Sequence, residues 1–274
     1  MNATPDSRGP ASAGSGPRPG QDARAGGRTV AITGASGALG QALLRRWHDR
    51  GARLIALCHG DHPLRLNDAR GQLIPLLQQR WQVGEEEALR QLLGEVDVLV
   101  LNHGVNVHGE RSAEATLLSL EVNALSTWRL LELFAEVVAE RQVAGSPVSE
   151  GETIAPRPLP EVWVNTSEAE IQPALSPLYE ISKRLIGQLL SLRAPLLNRR
   201  MRLRRLVLGP FRSALNPIGL LGAVFVAAAI LLQADWGWDL IVVTPNPLTY
   251  IVMPLVALGR WLYASLLCRD GDPG

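Results

Sequence analysis

Two side chains suited to proton transfer lie four positions apart, at Tyr179 and Lys183. Residues at this spacing share one face of a helix, so the phenol and the ammonium would stand side by side. Lys183 is the sole lysine of the chain, whereas arginines are numerous. A lysine ammonium is a compact charge that can reorient between a phenol and a sugar hydroxyl, and a planar guanidinium is not. The pair therefore predicts acid–base chemistry by Tyr179 with Lys183 beside it.

A glycine-rich turn offers a place for a cofactor. The segment 33–40 reads Thr-Gly-Ala-Ser-Gly-Ala-Leu-Gly, after an expected strand and at the start of an expected helix. Glycines permit the tight turn, and the N–H groups of a helix start favour a pyrophosphate. This context predicts a nicotinamide dinucleotide site, although a tight turn without a ligand would look the same. The expected contacts in this turn are Gly34, Ser36, Gly37, Ala38, Leu39 and Gly40.

The end of the second expected strand bears on the choice between NAD and NADP. A carboxylate there would hold the ribose diol of NAD, but the chain has Cys58 followed by His59. The sequence therefore favours NADP, with NAD as the alternative, and His59 as a contact. Cys58, His59, Asp61 and His62 also resemble metal ligands. Because four such residues in one short loop seldom form a closed site, we expect no metal.

Alternating apolar runs and helical patterns must position these residues. We expect strands at 29–32, 53–58, 96–101, 162–165, 206–208 and 240–244. We expect helices at 40–49, 85–93, 113–140, 179–192 and 220–232. Repeated βαβ units predict an α/β fold of the Rossmann type, in which a doubly wound parallel sheet is the middle of three αβα layers.

The chain divides into three parts by composition. Residues 1–27 are rich in Gly, Pro, Ala, Ser and Arg without an apolar run, which predicts a disordered tail. Residues 28–247 form the expected NAD(P)-binding Rossmann catalytic domain, with a solvated loop at 141–160. Residues 248–274 form an expected apolar helix and tail. Within that part, residues 248–268 contain one charged residue, Arg260.

Overall composition excludes some classes of partner. The 274 residues carry a formal net charge of +1 and 19% charged residues, so there is no electrostatic footprint for nucleic acid. Cys58 and Cys268 are too few for a disulfide framework, which suits a cytoplasmic protein.

Further residues complete a pattern that resembles the short-chain dehydrogenase/reductase family across residues 28–215. That pattern adds an asparagine-rich motif after the fourth strand, an asparagine on the next long helix and a serine. The matching positions here are Asn102-His103-Gly104, Asn123 and Ser167. The resemblance implies that Tyr179 exchanges the proton, that Lys183 also binds the ribose, that Ser167 anchors the carbonyl and that Asn123 holds a relay water. It further implies cofactor contacts at Asn102, His103, Gly104, Lys183 and Pro210.

Three departures from that pattern have consequences. The three-residue spacing of the glycines resembles the extended branch of the family. Ser167 stands one residue closer to Tyr179 than usual, so Glu168 competes for the serine position. Gly209-Pro210 inverts the usual order after the sixth strand. The last two departures keep open an alternative, a non-catalytic dinucleotide-binding or scaffold protein on the same fold.

A narrower resemblance is to the dehydrogenase half of bifunctional sterol desaturase/short-chain dehydrogenase proteins. The segments 165–170, 176–180 and 244–250 carry it. It implies a small-molecule substrate of lipid or sterol-like character, and the broader family implies association into homo-oligomers. The apolar segment 248–268 would then either pack as a core or dimer helix or lie on a membrane surface with Trp261 and Tyr263 at the interface. A short connection at 209–217 would leave the substrate cleft open.

Overall fold

The computed structural model describes residues 27–144, 158–198 and 200–268. Within these ranges seven strands form one parallel sheet in the order β3-β2-β1-β4-β5-β6-β7. The strands are β1 Thr29–Thr33, β2 Arg53–Cys58, β3 Leu77–Arg80, β4 Val98–Leu101, β5 Glu161–Ser167, β6 Arg202–Leu208 and β7 Leu240–Val243. The strand order reverses between β1 and β4, which is where ligands bind in open α/β sheets.

Helices cover both faces of the sheet. They are α1 Ala38–His48, α2 Arg90–Leu93, α3 Ala113–Leu120, α4 Ser126–Ala144, α5 Pro177–Leu197, α6 Ala223–Asp235 and α7 Thr249–Leu267. A 3-10 turn, Glu86–Leu89, leads into α2, and a π-helical segment, Glu121–Leu125, joins α3 to α4. A second 3-10 turn, Glu168–Glu170, follows β5.

The core has one layer on each side of the sheet. Central strands such as β4 are buried along their whole length, as parallel strands covered on both faces must be. On one face α1 and α6 pack together, and Trp47 of α1 contacts Trp163 of β5 with ring centroids 5.6 Å apart. On the other face α4 and α5 cover the sheet. The predicted three-layer Rossmann architecture is thereby confirmed.

Several predicted boundaries need correction. Strand β3 was not expected, because its Leu-Gln-Gln-Arg sequence at the sheet edge is mostly exposed and polar. Strand β6 begins at Arg202 rather than 206, since ion pairs bury Arg204 and Arg205 inside the protein. Helix α4 continues to Ala144, into the expected loop. Residues 145–157 of that loop and residues 1–26 of the expected tail at 1–27 lie outside the described residues. The connection after β6 spans 209–222 rather than 209–217, because α6 begins only at Ala223.

Candidate active site

The glycine turn lies against the end of β4. Gly34 has φ +61°, and a Cβ there would stand 2.9 Å from the carbonyl oxygen of Asn102. A Cβ at Gly40 would stand 2.4 Å from the carbonyl oxygen of Gly34. Gly37 caps α1 without a side-chain hydrogen bond and is exposed with Ser36 and Ala38. This cradle, which only glycines can form, fits a dinucleotide pyrophosphate at the helix N-terminus.

The loop after β4 is fastened to the same turn. Thr33 Oγ1 accepts the backbone N–H of Asn102 at 2.9 Å and lies 2.9 Å from His103 Nδ1. The His103 ring stands edge-on to Trp81, with centroids 5.0 Å apart. Burial lowers the pKa of His103 to about 3, assisted by the positive charge of Lys183, so the imidazole is neutral at pH 7.

The proposed acid–base pair lies on the first turns of α5, beside the end of β5. Tyr179 is partly exposed, whereas Lys183 is 4% exposed and has its ammonium 5.5 Å from the centre of the tyrosine ring. Lys183 Nζ donates to the carbonyl oxygen of Asn165 at 3.1 Å. Burial lowers the pKa of Lys183 to about 8, against the opposing charge of Glu170. At a pKa of about 8 most of the Lys183 side chains carry the ammonium charge at pH 7.

Ser167 and Glu168 point to different places. Burial raises the pKa of the Tyr179 phenol, and the nearby Ser167 side chain opposes this rise. Ser167 Oγ itself donates to the carbonyl oxygen of Leu208 at 3.3 Å and accepts the N–H of Ala169 at 3.2 Å. The carboxylate of Glu168 instead accepts hydrogen bonds from Thr244 Oγ1 at 2.5 Å and from Thr249 Oγ1 at 3.2 Å. The structure therefore brings Ser167, and not Glu168, to the tyrosine.

Asn123 lies in the π-helical segment and binds the backbone of the β4 loop. Its Oδ1 accepts the N–H of Val105 at 2.8 Å, and its Nδ2 donates to the carbonyl of the same residue at 2.9 Å. Nδ2 also donates to Ser182 Oγ at 3.1 Å. A Cβ at Gly104 would stand 3.1 Å from Asn123 Oδ1. The side chain thus joins the loop to α5, next to Lys183.

Three expected cofactor contacts remain. Leu39 is buried in the core beneath the glycine turn, whereas His59 and Pro210 border this edge of the sheet. His59 is exposed directly after β2, while Cys58 is buried, and burial raises the pKa of its thiol. Pro210 follows β6, where its carbonyl accepts the N–H of Leu220 at 2.9 Å. Within the described ranges no group of three or more metal-ligating side chains comes together.

A family model described as the NAD dependent epimerase/dehydratase family matches residues 30–191. The chain belongs to this family. Membership in this family agrees with the Rossmann fold and with the glycine turn described above as a cradle for a dinucleotide.

One curated relative is monoglucosyldiacylglycerol epimerase of Synechocystis sp., which is 42% identical over 230 residues. The match covers 84% of this epimerase-family chain and 52% of the relative. The chain thus spans about half the length of the curated relative it matches.

Solved structures agree on the fold. A short-chain dehydrogenase from Burkholderia cenocepacia in complex with NADP has a TM-score of 0.67 at 19% identity, over 89% of this chain and 98% of its own. A short-chain dehydrogenase from Sphingobium yanoikuyae in complex with NADPH has a TM-score of 0.63 at 16% identity, over 90% of this chain and all of its own. At these identities the likeness shows a common fold alone.

Sequence reasoning missed several residues of this epimerase-family site. Asn165 Nδ2 donates to Asn102 Oδ1 at 2.8 Å, which joins β5 to the β4 loop while its carbonyl binds Lys183. Thr33 organises the β4 loop, and Glu170 acts electrostatically on Lys183. Asn165 and Thr33 stand at strand ends that meet at one edge of a parallel sheet, which was the available indication of their role.

Proposed function

We propose that the chain interconverts an alcohol and a carbonyl with NAD(P), and that Tyr179 carries the proton. The observation that supports this most is the convergence of Tyr179, Ser167 and Lys183 beside the glycine turn. In this proposal Ser167 holds the substrate oxygen and Tyr179 gives or takes its proton. Lys183 stabilises the phenolate, and Asn123 serves as a positioning residue for the β4 loop and α5.

The cofactor would be held by the glycine turn, the loop after β4 and Lys183. A bound nicotinamide dinucleotide would accept or supply the hydride. We infer a preference for NADP, because Cys58 replaces the carboxylate that would repel a 2′-phosphate and His59 stands exposed beside it. The neutral His103 adds no charge to this site.

The substrate we propose is the sugar of a glycolipid. The relative is named for a monoglucosyldiacylglycerol, and a sugar carbinol is a secondary alcohol of the kind this site would oxidise. Oxidation followed by reduction on the opposite face of the same carbon would invert its configuration. Tyr179 would then take up and return one proton at one substrate oxygen, without net redox change.

A membrane surface would bring such a substrate to the cleft. Helix α7 is long and apolar enough to span a membrane by length and composition. Over an 18-residue stretch of this helix the mean hydropathy is 1.5, and 11% of that stretch is buried inside the protein. Its sole charged residue, Arg260, turns inward to Glu170, so the outward face carries no formal charge. We propose that this face lies on the bilayer rather than packing against a second copy. Exposed apolar residues on this face include Ile251, Leu255, Leu258, Trp261, Leu262 and Tyr263.

Incubation of the purified chain with NADP or NAD and a monoglucosyldiacylglycerol in mixed micelles tests the function. Epimerisation predicts a new sugar configuration in the NMR spectrum without accumulation of reduced cofactor. A net dehydrogenase predicts reduced cofactor in proportion to the ketone formed. Tyr179→Phe should abolish either product while leaving dinucleotide affinity nearly unchanged, because only the proton-transfer group is lost.

The scaffold interpretation predicts a different result. A scaffold would bind the dinucleotide but form no product from glycolipids or from a panel of lipid and sterol-like alcohols. The resemblance to the dehydrogenase half of bifunctional sterol desaturase proteins supports including sterols in that panel. Product formation that survives Tyr179→Phe would overturn the proposed mechanism.

A further inference from the structure

A fully buried carboxylate lies next to the acid–base pair. Glu170, at the end of the turn after β5, has a side chain that is 0% exposed. Arg260 Nη1 of α7 lies 2.7 Å from its Oε2, and Arg205 Nη1 of β6 lies 3.8 Å from the same atom. Gly187 leaves the space for this carboxylate, because a Cβ there would stand 1.9 Å from Glu170 Oε2.

Gly187 also relates the carboxylate to the lysine. Positions 183 and 187 are one turn apart on α5, so Glu170 lies along the helix face that bears Lys183. The charged and titratable groups around Lys183 are Tyr179 on α5, His103 after β4 and Glu170 after β5. Among them, Glu170 is the carboxylate whose charge opposes the effect of burial on the lysine.

The cluster has an unequal charge balance. One carboxylate, Glu170, faces three cations: Arg205, Arg260 and Lys183. Glu170 Oε1 and Arg205 Nη1 are buried without a hydrogen-bond partner within the described residues. Buried polar atoms without partners destabilise a fold, so this cluster is poorly explained by stability alone.

We propose that Glu170 is a positioning residue that keeps Lys183 charged, and that Arg260 couples this effect to the seating of α7 on α5. The inference rests on the proposed role of Lys183. Arg260 is the sole charged residue of α7, and it neutralises part of the field of Glu170. Movement of α7 away from α5 would therefore strengthen the negative field of Glu170 at Lys183. The position of this apolar surface helix would then alter the charge state of Lys183.

Because Lys183 is the sole lysine, its titration can be observed directly. The full chain, labelled with [ε-13C]lysine and carrying a lysine-free tag, should give one resonance that titrates near the pKa of about 8. Glu170→Gln should lower this pKa by about one unit, since a nearby negative charge is removed. Arg260→Met should raise it, since a nearby positive charge is removed.

A matched control separates electrostatics from loosening of α5. Glu132→Gln removes the carboxylate that pairs with Arg193 of α5, at 2.7 Å, away from Lys183. We expect no change in the lysine titration in this variant. An unchanged titration in folded Glu170→Gln would overturn the proposal. Should that variant not fold, an unchanged titration in folded Arg260→Met would do the same.

The measurement does not depend on turnover. Opposite shifts in Glu170→Gln and Arg260→Met support the proposal even if no substrate is converted. Equal shifts in Glu132→Gln and Glu170→Gln contradict it, because a general loosening of α5 would then account for both. Failure of the glycolipid assay with the predicted titrations would reject the proposed function while the electrostatic coupling stands.

Discussion

The carboxylate of Glu170 occupies space that only a glycine at position 187 leaves free. A Cβ at that position would stand 1.9 Å from Glu170 Oε2 and 3.1 Å from Arg260 Nη1. Gly187→Ala should therefore push the carboxylate out of its ion pairs. We expect a loss of about 1–3 kcal/mol in the free energy of unfolding, from overpacking. Gly259→Ala on exposed α7 is the control, since a Cβ there has nothing within 4 Å. It should be neutral or stabilise by up to about 1 kcal/mol. Equal stability of the two variants in urea titrations would refute the packing argument.

Ser167 and Glu168 can be separated by their different contacts. Ser167→Ala should lower kcat by about a hundredfold, the effect of losing one donor to a reacting oxygen. Glu168→Gln should keep kcat within about threefold, because its carboxylate contacts Thr244 and Thr249 instead. Steady-state kinetics with the substrate found active provide the test. The reverse order of the two effects would assign the role to Glu168.

The cofactor preference should depend on Cys58. We expect the unmodified chain to bind NADPH at least as tightly as NADH. Cys58→Asp should shift the ratio of dissociation constants toward NADH by about tenfold, through repulsion of the 2′-phosphate. Cys58→Ser is the uncharged control and should leave the ratio unchanged. Fluorescence titrations measure these constants, and strong NADH preference in the unmodified chain would contradict the inference.

Association with bilayers should depend on the outward face of α7. Ile251 and Leu255 are 63% exposed and Leu262 is 45% exposed. Replacing all three with Asp should lower partitioning into phosphatidylcholine vesicles by at least about tenfold. Each substitution removes an apolar side chain whose surface would otherwise be buried in the bilayer. The control is Leu73→Asp, because Leu73 is also well exposed, at 64%, but does not belong to α7. If the folded full chain does not float with vesicles, the membrane proposal is wrong.

Acid stability should depend on Glu86. Burial alone would raise the pKa of this carboxyl, but hydrogen bonds from Arg129, Ser126 and the Gly84 N–H lower it to about 2. A lowered pKa stabilises the fold above the ordinary value of 4.5, and this stabilisation is lost as pH falls from 4.5 toward 2. Glu86→Gln should therefore cost about 2–3 kcal/mol at pH 7, and the difference from the unmodified chain should narrow below pH 4.5. A difference that is independent of pH would contradict this.

Patterns within about ten residues were sufficient to predict much of this protein. The apolar run at β2, the glycine turn before α1 and the four-residue spacing of Tyr179 and Lys183 each depend on local backbone geometry. The sequence predicts such local geometry directly, because the periods of helices and strands depend on the types of residues at neighbouring positions.

Only the tertiary structure decided which charges are buried and where they point. Glu170 and Arg260 stand 90 positions apart, and nothing near either residue marks them as partners. Arg204 and Arg205 precede the strand expected at 206–208, yet they lie inside β6 with buried carboxylates as partners. Ser167 and Glu168 are neighbours in the chain, but the turn after β5 sends one to Tyr179 and the other to Thr244. Burial and ion pairing depend on which distant segments the sheet brings together, so local spacing does not contain them.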